Sequence, residues 1–370
     1  MKKALIIGSG FTGCMFAMML RKKNWDVTVF DSASITGGGV RTYYHGGHPY
    51  TYGPRHFIGP ESNMKAYEFL NRIVPMRHLK KMNYSYQQKE DFFASYPIHI
   101  DDVKQFQDSK EIFSEIDNLP KETKTNNFEE FWIGKVGKIL YERFNKYYNL
   151  KAWQLKDNTE MNYGFEATVK RKPLETDSRY EFPSGHINAY PVPSDGYNKF
   201  FDVSLDGCKI LLNTLITKID LDTKTIYTGD GQHSGDLIIS TTSPDFLFSN
   251  CYGELKYVGR EFYKIVLPNE NVLPKDVYFI YYPGANEQQT RVTEFKKFTL
   301  HKSKNSLITL EVPSMKNKLY PTMLKKEVDL ADKYLKALPK DVLSVGRMGT
   351  YRYVDIDDII MQGLEFYNDI

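Results

Sequence analysis

Cysteine is scarce in this 370-residue chain, with only Cys14, Cys208 and Cys251 present. They form no C-x-x-C pair and no spacing that would hold zinc, so a reducing cytoplasm is the expected setting. Long hydrophobic runs are missing too. No stretch approaches the ~20 apolar residues that span a bilayer, which leaves only a peripheral membrane role. Residues 4–20 imitate a secretory leader, but Gly8, Ser9, Gly10, Thr12 and Gly13 interrupt the run and the leader reading is rejected. Charge of one sign is also lacking: Lys+Arg 49 against Asp+Glu 46 gives +3 with no long block, so a nucleic-acid partner gains no support. There is no internal repeat and no low-complexity segment.

What the chain does have is aromatic surface. Tyr 27, Phe 23 and Trp 3 make up 14% of it, which suits a wide ring-binding cleft because tyrosine offers both a flat apolar face and a hydroxyl donor. Hydrophobic residues at 41% and charged residues at 26% are those of a globular protein, and the length suggests two or three packed units.

The first residues, ALIIGSG, read as a short strand ending in glycines; FTGCMFAMMLRKK continues with helical spacing and DVTVFDS alternates like a second strand. Strand, glycine turn, helix and strand within this length make a βαβ unit with a parallel pair. The glycine-rich stretch 37–53 is expected to be irregular. MKAYEFLNRIV reads as an amphipathic helix, SYQQKEDFFASYPIHI as a hairpin, and residues 101–160 as mostly helical, with Phe128, Phe131, Trp132, Val136, Leu140 and Phe144 on one face. VYFIYYP, TRVTEFKKF and SLITLEVP read as strands of an antiparallel layer. The tail around residues 342–366 gives strand, Gly-Arg turn and helix, returning to the nucleotide-binding layer.

Gly8-Ser9-Gly10-Phe11-Thr12-Gly13 fits G-x-G-x-x-G between a strand and a helix. The first glycine permits the tight turn, the second lets backbone approach a pyrophosphate, and the third allows close helix–strand packing, with the phosphates at the positive helix N-terminus. Asp31 ends the second strand near the ~20-residue spacing at which a carboxylate accepts the hydroxyls of an adenosine ribose, and it disfavours a 2′-phosphate. NAD and FAD share this half-motif, so the glycines alone do not name the cofactor.

Further residues carry a family resemblance. Gly37-Gly38-Gly39, Tyr52-Gly53-Pro54-Arg55-His56-Phe57, Tyr96-Pro97-Ile98, Tyr148 through Lys151 to Trp153, Asp195-Gly196-Tyr197, Thr290-Arg291 with Glu294, Gly346-Arg347 and Tyr351-Arg352-Tyr353-Val354-Asp355 occur in an order and spacing that resembles the flavin-dependent UDP-galactopyranose mutase family. The resemblance runs over nearly the whole chain. It implies an α/β fold: a Rossmann-like FAD-binding domain (residues 1–60, about 200–250 and 340–370), an inserted, largely helical nucleotide-binding domain (about 61–165) and an antiparallel sheet substrate domain (about 166–200 and 251–339). It implies an isomerase that interconverts pyranose and furanose forms of a nucleotide-diphosphate sugar for surface polysaccharide synthesis. In that family reduced flavin is the working form: its N5 attacks the anomeric carbon, the adduct opens to an iminium, and the ring recloses through another hydroxyl. NADH or NADPH would be the external reductant, and a homodimer the assembly.

The resemblance also implies roles. Arg291 matches a phosphate-binding arginine and Arg171 is a second, with Arg179 or Lys172 as substitutes. Such guanidiniums would stabilise the departing diphosphate without giving up a proton. Tyr353 matches a tyrosine near the phosphates, Tyr190 and Tyr320 match more loosely, and Tyr148 and Trp153 match positions lining nucleotide and sugar. Cofactor contacts fall on Gly8, Gly10, Phe11, Thr12, Gly13, Asp31, Gly38, Gly39, Arg347, Tyr353 and Asp355. The dipole of the last helix and Arg347 would favour an anionic reduced flavin.

The chain departs from the family where a histidine usually stands beside the flavin. Arg55 occupies that place and His56 follows it, so either His56 takes the role or Arg55 contacts the flavin or a different sugar. Val354 replaces a frequent tyrosine, and a substrate other than plain UDP-galactose is expected: arabinose, fucose, galactose, N-acetylgalactosamine or a heptose on UDP or dTDP, with GDP as the lesser alternative. The competing readings are an FAD-dependent oxidoreductase of the amine-oxidase type and a non-catalytic binder of flavin or nucleotide sugar.

Overall fold

In the computed structural model, which describes residues 1–53, 55–123, 126–161, 174, 178–181 and 185–370, the first apolar run becomes β1 (Lys3–Ile7) at the centre of a five-stranded sheet. β2 (Asp26–Phe30) and Leu237–Ser240 flank it, with Lys209–Leu211 and Val342–Ser344 at the edges, all parallel. A parallel sheet is covered on both faces, which is why Ala4 to Ile7 are buried consecutively rather than alternately. Between the first two strands runs α1 (Phe11–Lys22). Its residues from Phe11 to Leu20 are all buried, because the helices Asn198–Ser204 and Ile356–Asp369 pack beside it. The last of these helices begins on a capping box, in which Asp355 and Asp358 each accept a backbone N–H of the other's end of the turn.

A seven-stranded sheet forms the second layer, in the order Tyr320–Pro321, Tyr257–Leu267, Ser306–Ser314, Arg291–Glu294, Val277–Tyr281, Met82–Gln87, Phe92–Tyr96. The expected antiparallel sheet is mixed at one seam, where Val277–Tyr281 runs parallel to Met82–Gln87. Hairpin neighbours must be antiparallel, whereas strands brought together from distant segments are under no such constraint. That seam also moves a boundary. The hairpin 82–96 falls within the block expected to be largely helical but belongs to this sheet, and the helix Met64–Ile73 packs on Ile356–Asp369 of the first layer. The helical block proper starts at Ile100 and holds Ser109–Asp117, Phe128–Val136, Lys138–Tyr141 and Tyr147–Trp153, with one π-helical turn at Glu142–Lys146. Its apolar stripe buries as one cluster with Trp153.

Several strands were not legible in the sequence. His186–Pro191 lies between Phe57–Pro60 and Met76–His78 in a small antiparallel sheet, although its surroundings are rich in Pro, Gly and charge. Tyr257–Leu267, eleven residues long, carries no clean alternation. The stretch expected to be irregular holds the hairpin Tyr43–His45/His48–Tyr50, whose two-residue turn needs positive φ at both centres; Gly46 and Gly47 supply φ of 56° and 82°. No helix among the described residues is long and apolar enough to cross a membrane.

Candidate active site

The glycine turn is built as its spacing requires. Gly8 sits at φ +96°, and a Cβ on Gly13 would overlap the Gly8 carbonyl oxygen, so helix and strand approach only because both lack side chains. A Cβ on Gly10 would meet nothing within 4 Å. No side chain caps α1, so its leading N–H groups are left for a ligand. Open space at Gly10 and uncapped amides are the cradle a pyrophosphate needs, and in this respect the residues fit a dinucleotide. Asp31 ties the turn first: one oxygen accepts from Ser9 N at 2.7 Å and Ser9 Oγ at 2.6 Å, the other from Ala33 N at 2.8 Å. The oxygen that accepts from Ala33 keeps a second lone pair for a hydroxyl.

From this turn opens a cavity of about 330 Å³, walled by Phe11, Thr12, Gly39, Arg55, His56, Phe279, Arg347, Tyr353 and Asp355, all but Phe279 expected at the cofactor or catalytic site. Gly38 backs it, packed on Gly10. Beside it lies a second cavity of about 140 Å³ lined by Tyr148, Trp153, Arg260, Tyr281, Arg291 and Glu311, among others. Arg291, Tyr320 and Tyr353 border both.

Strand register composes the second cavity. Ser85, Tyr281, Arg291 and Glu311 are direct partners across four adjacent strands, so their side chains form one row on the same face. Within that row Arg291 grips Glu311 through two bonds, Nε–Oε1 at 3.0 Å and Nη2–Oε2 at 2.7 Å. Burial alone would lower the Arg291 pKa, but the Glu311 carboxylate holds it well above the usual arginine value. Tyr148 stands edge-on to Tyr281 at 5.6 Å and burial pushes its phenol up to about 12.

Tyr320 is the meeting point of both cavities. Its ring stacks on Tyr353 at 5.7 Å, meets Trp153 edge-on at 5.8 Å, and is faced by the guanidinium carbons of Arg347, Arg260 and Arg55 at 4.9, 5.2 and 5.9 Å. Burial would raise its phenol, yet Arg55, Arg347, Arg260 and Arg291 together outweigh it and bring the pKa down to about 8. Tyr353, with only part of that cluster, stays raised by burial. Two of the four guanidiniums have carboxylate partners: Arg291 with Glu311, and Arg347 with Asp355 at 3.3 Å. Arg55 and Arg260 have none among the described residues, and Arg260 Nη1 donates only to the Gly259 carbonyl. Two unneutralised, largely desolvated cations beside a phenol make a strong anion site.

The structure therefore brings together Arg55, His56, Tyr148, Trp153, Arg291, Tyr320, Arg347, Tyr353 and Asp355. Tyr190 lies elsewhere: it is 1% exposed in the main core, against Tyr197 and Phe298, because its strand is buried on both faces. Its match to a substrate tyrosine is corrected accordingly. Arg179, offered as a substitute phosphate ligand, is bound to Asp102 and Ser95. Arg171 and Lys172 lie outside the described residues. Glu294 is spent on the Val272 and Leu273 amides. Sequence reasoning missed Arg260 and Glu311, which no motif marks and which only register brings to Arg291.

The family model for UDP-galactopyranose mutase matches residues 143–353, and that for an NAD(P)-binding Rossmann-like domain matches residues 6–73. A Klebsiella pneumoniae protein named "Probable UDP-galactopyranose mutase" is 24% identical over 385 residues, covering 98% of this chain and 93% of its own. The dTDP-fucopyranose mutase of Escherichia coli is 26% identical over 386 residues, covering 99% and 97%. The crystal structure of a reduced UDP-galactopyranose mutase shares the fold, with a TM-score of 0.82 at 20% identity over 100% of this chain and 95% of that one.

Proposed function

The chain belongs to the UDP-galactopyranose mutase family, and we propose that it interconverts the pyranose and furanose forms of a UDP- or dTDP-linked sugar, with reduced FAD in the cavity beside the glycine turn. The observation that supports this most directly is the guanidinium cluster around Tyr320. It stands where the two cavities meet and carries two positive charges that no described carboxylate offsets. A nucleoside diphosphate would bring the matching negative charge.

When bound, reduced flavin supplies the nucleophile for the anomeric carbon. The chain's own residues do the rest. Arg291, held by Glu311, and Arg260 grip the diphosphate, so charge that builds on the leaving oxygen meets preorganised donors rather than water. Arg55 and Arg347 add charge on the cofactor side, and the hydroxyls of Tyr320 and Tyr353 donate to phosphate oxygens. Tyr148 and Trp153 wall the smaller cavity against solvent and give sugar and base flat apolar surfaces. NADH or NADPH as reductant, a cytoplasmic homodimer and a furanose destined for surface polysaccharide complete the reading.

The test is a panel of UDP- and dTDP-sugars offered to dithionite-reduced and oxidised protein, followed by NMR of the anomeric signals. Conversion by the reduced protein alone, with no net flavin oxidation, is expected. An oxidised product with stoichiometric flavin turnover would replace this reading with an amine-oxidase-type reaction. Binding without conversion would leave a nucleotide-sugar binder.

A further inference from the structure

We propose that Lys81 and Glu181 are positioning residues that hold His56 as a neutral imidazole, with its proton on Nδ1, in the wall of the cofactor cavity. His56 borders that cavity, and its Nε2 lies 3.0 Å from Lys81 Nζ. The Lys81 ammonium forms an ion pair with the Glu181 carboxylate, and both side chains are fully buried. The backbone pins the same pair, since Glu181 N donates to the Lys81 carbonyl at 2.9 Å. On its other side Lys81 Nζ stands 4.4 Å from the centre of the Phe279 ring, which faces the cofactor cavity.

A buried ammonium persists as a cation only beside a partner such as this carboxylate. It has three donors and no acceptor, so the bond to the imidazole runs from Nζ to Nε2 and the ring proton belongs on Nδ1. Protonating the ring would set an N–H against the ammonium. Among the described residues lining the cavity with it, Arg55, Arg291, Lys318 and Arg347 add positive charge, Asp355 is paired with Arg347, and the other titratable groups are Tyr320 and Tyr353. Phe298, tilted by 33° at 5.5 Å, fixes the plane of the ring. The arrangement divides two tasks between neighbours. Arg55 supplies permanent charge, and His56 supplies an uncharged, oriented dipole to the cofactor.

This inference rests on the flavin reading for its purpose, but the tautomer is measurable without any assay of conversion. Purified flavin-loaded protein carrying 15N-histidine is followed by long-range 1H–15N NMR, with His56 assigned from the signal lost in His56→Gln. An unprotonated Nε2 and a protonated Nδ1 are expected at neutral pH. In the double variant Lys81→Met/Glu181→Gln, which removes the ammonium donor, the proton should no longer be confined to Nδ1. A wild-type proton on Nε2, or an identical tautomer in the double variant, overturns the proposal. Should the double variant not fold, the wild-type tautomer decides by itself. Failure of the nucleotide-sugar panel with the Nδ1 tautomer in place would sink the mutase reading alone.

Discussion

The Arg55 guanidinium reaches to 3.4 Å of the Tyr320 hydroxyl, across 265 positions of sequence. Arg55 stands where the resemblance leads one to expect a histidine, and the contact makes it one of four arginines acting on a single phenol. An imidazole there could lose its charge, whereas a guanidinium cannot. The cluster therefore keeps its field over the whole physiological pH range.

Tyrosinate absorbance should reveal that field. Wild-type protein is expected to show a step of one tyrosine near pH 8, absent in Tyr320→Phe and moved up by about one unit or more in Arg55→Met. In the unfolded chain the same group ionises near 10, so its stabilising contribution is present above 10 and is lost as pH falls through 8. Urea unfolding at pH 8 and pH 10 should show wild type gaining on Tyr320→Phe over that interval. A phenol that stays protonated past pH 10 would contradict the arrangement.

Breaking the Arg291–Glu311 pair from either side leaves a buried charge without its partner, at a cost of about 3–5 kcal/mol. Arg291→Met and Glu311→Met should each lose that much in urea unfolding. The double variant should recover most of the stability while still failing to bind nucleoside diphosphate in calorimetry. Equal instability of the double and single variants would mean the pair is not coupled.

Lys151 acts as a clasp. Its Nζ donates to the carbonyls of Tyr282, Gly284 and Glu287 at 2.9, 3.0 and 2.7 Å, tying the helix that carries Tyr148 and Trp153 to the segment leading into Arg291. Burial, opposed by Glu287, lowers its pKa to about 8. Lys151→Met should lower stability by about 2 kcal/mol, raise KM for the nucleotide sugar and speed amide exchange across residues 282–290. Unchanged exchange there would remove the clasp from the account.

The glycine turn offers a contrast between two substitutions. Gly10→Val should melt as flavin-free wild type does, yet retain about tenfold less flavin, because its side chain would enter the open cradle. Gly13→Val should destabilise the protein outright, since it collides with the Gly8 carbonyl. Flavin absorbance per protein and thermal melts measure both. Full flavin content in Gly10→Val would place the cofactor elsewhere.

Local pattern by itself determined the βαβ start, the glycine turn with Asp31, the amphipathic helices and the strand–turn–helix tail, because strand alternation, helical spacing and glycine chemistry act between near neighbours. Tertiary structure alone decided the rest. The row Ser85, Tyr281, Arg291 and Glu311, the arrival of Arg260, the burial of Tyr190 and the placing of Lys81 against His56 depend on which strands pair and in what register. Register follows from which faces of distant segments bury together, and a shift of one residue in any strand carrying that row would turn its side chain to the other face of the sheet.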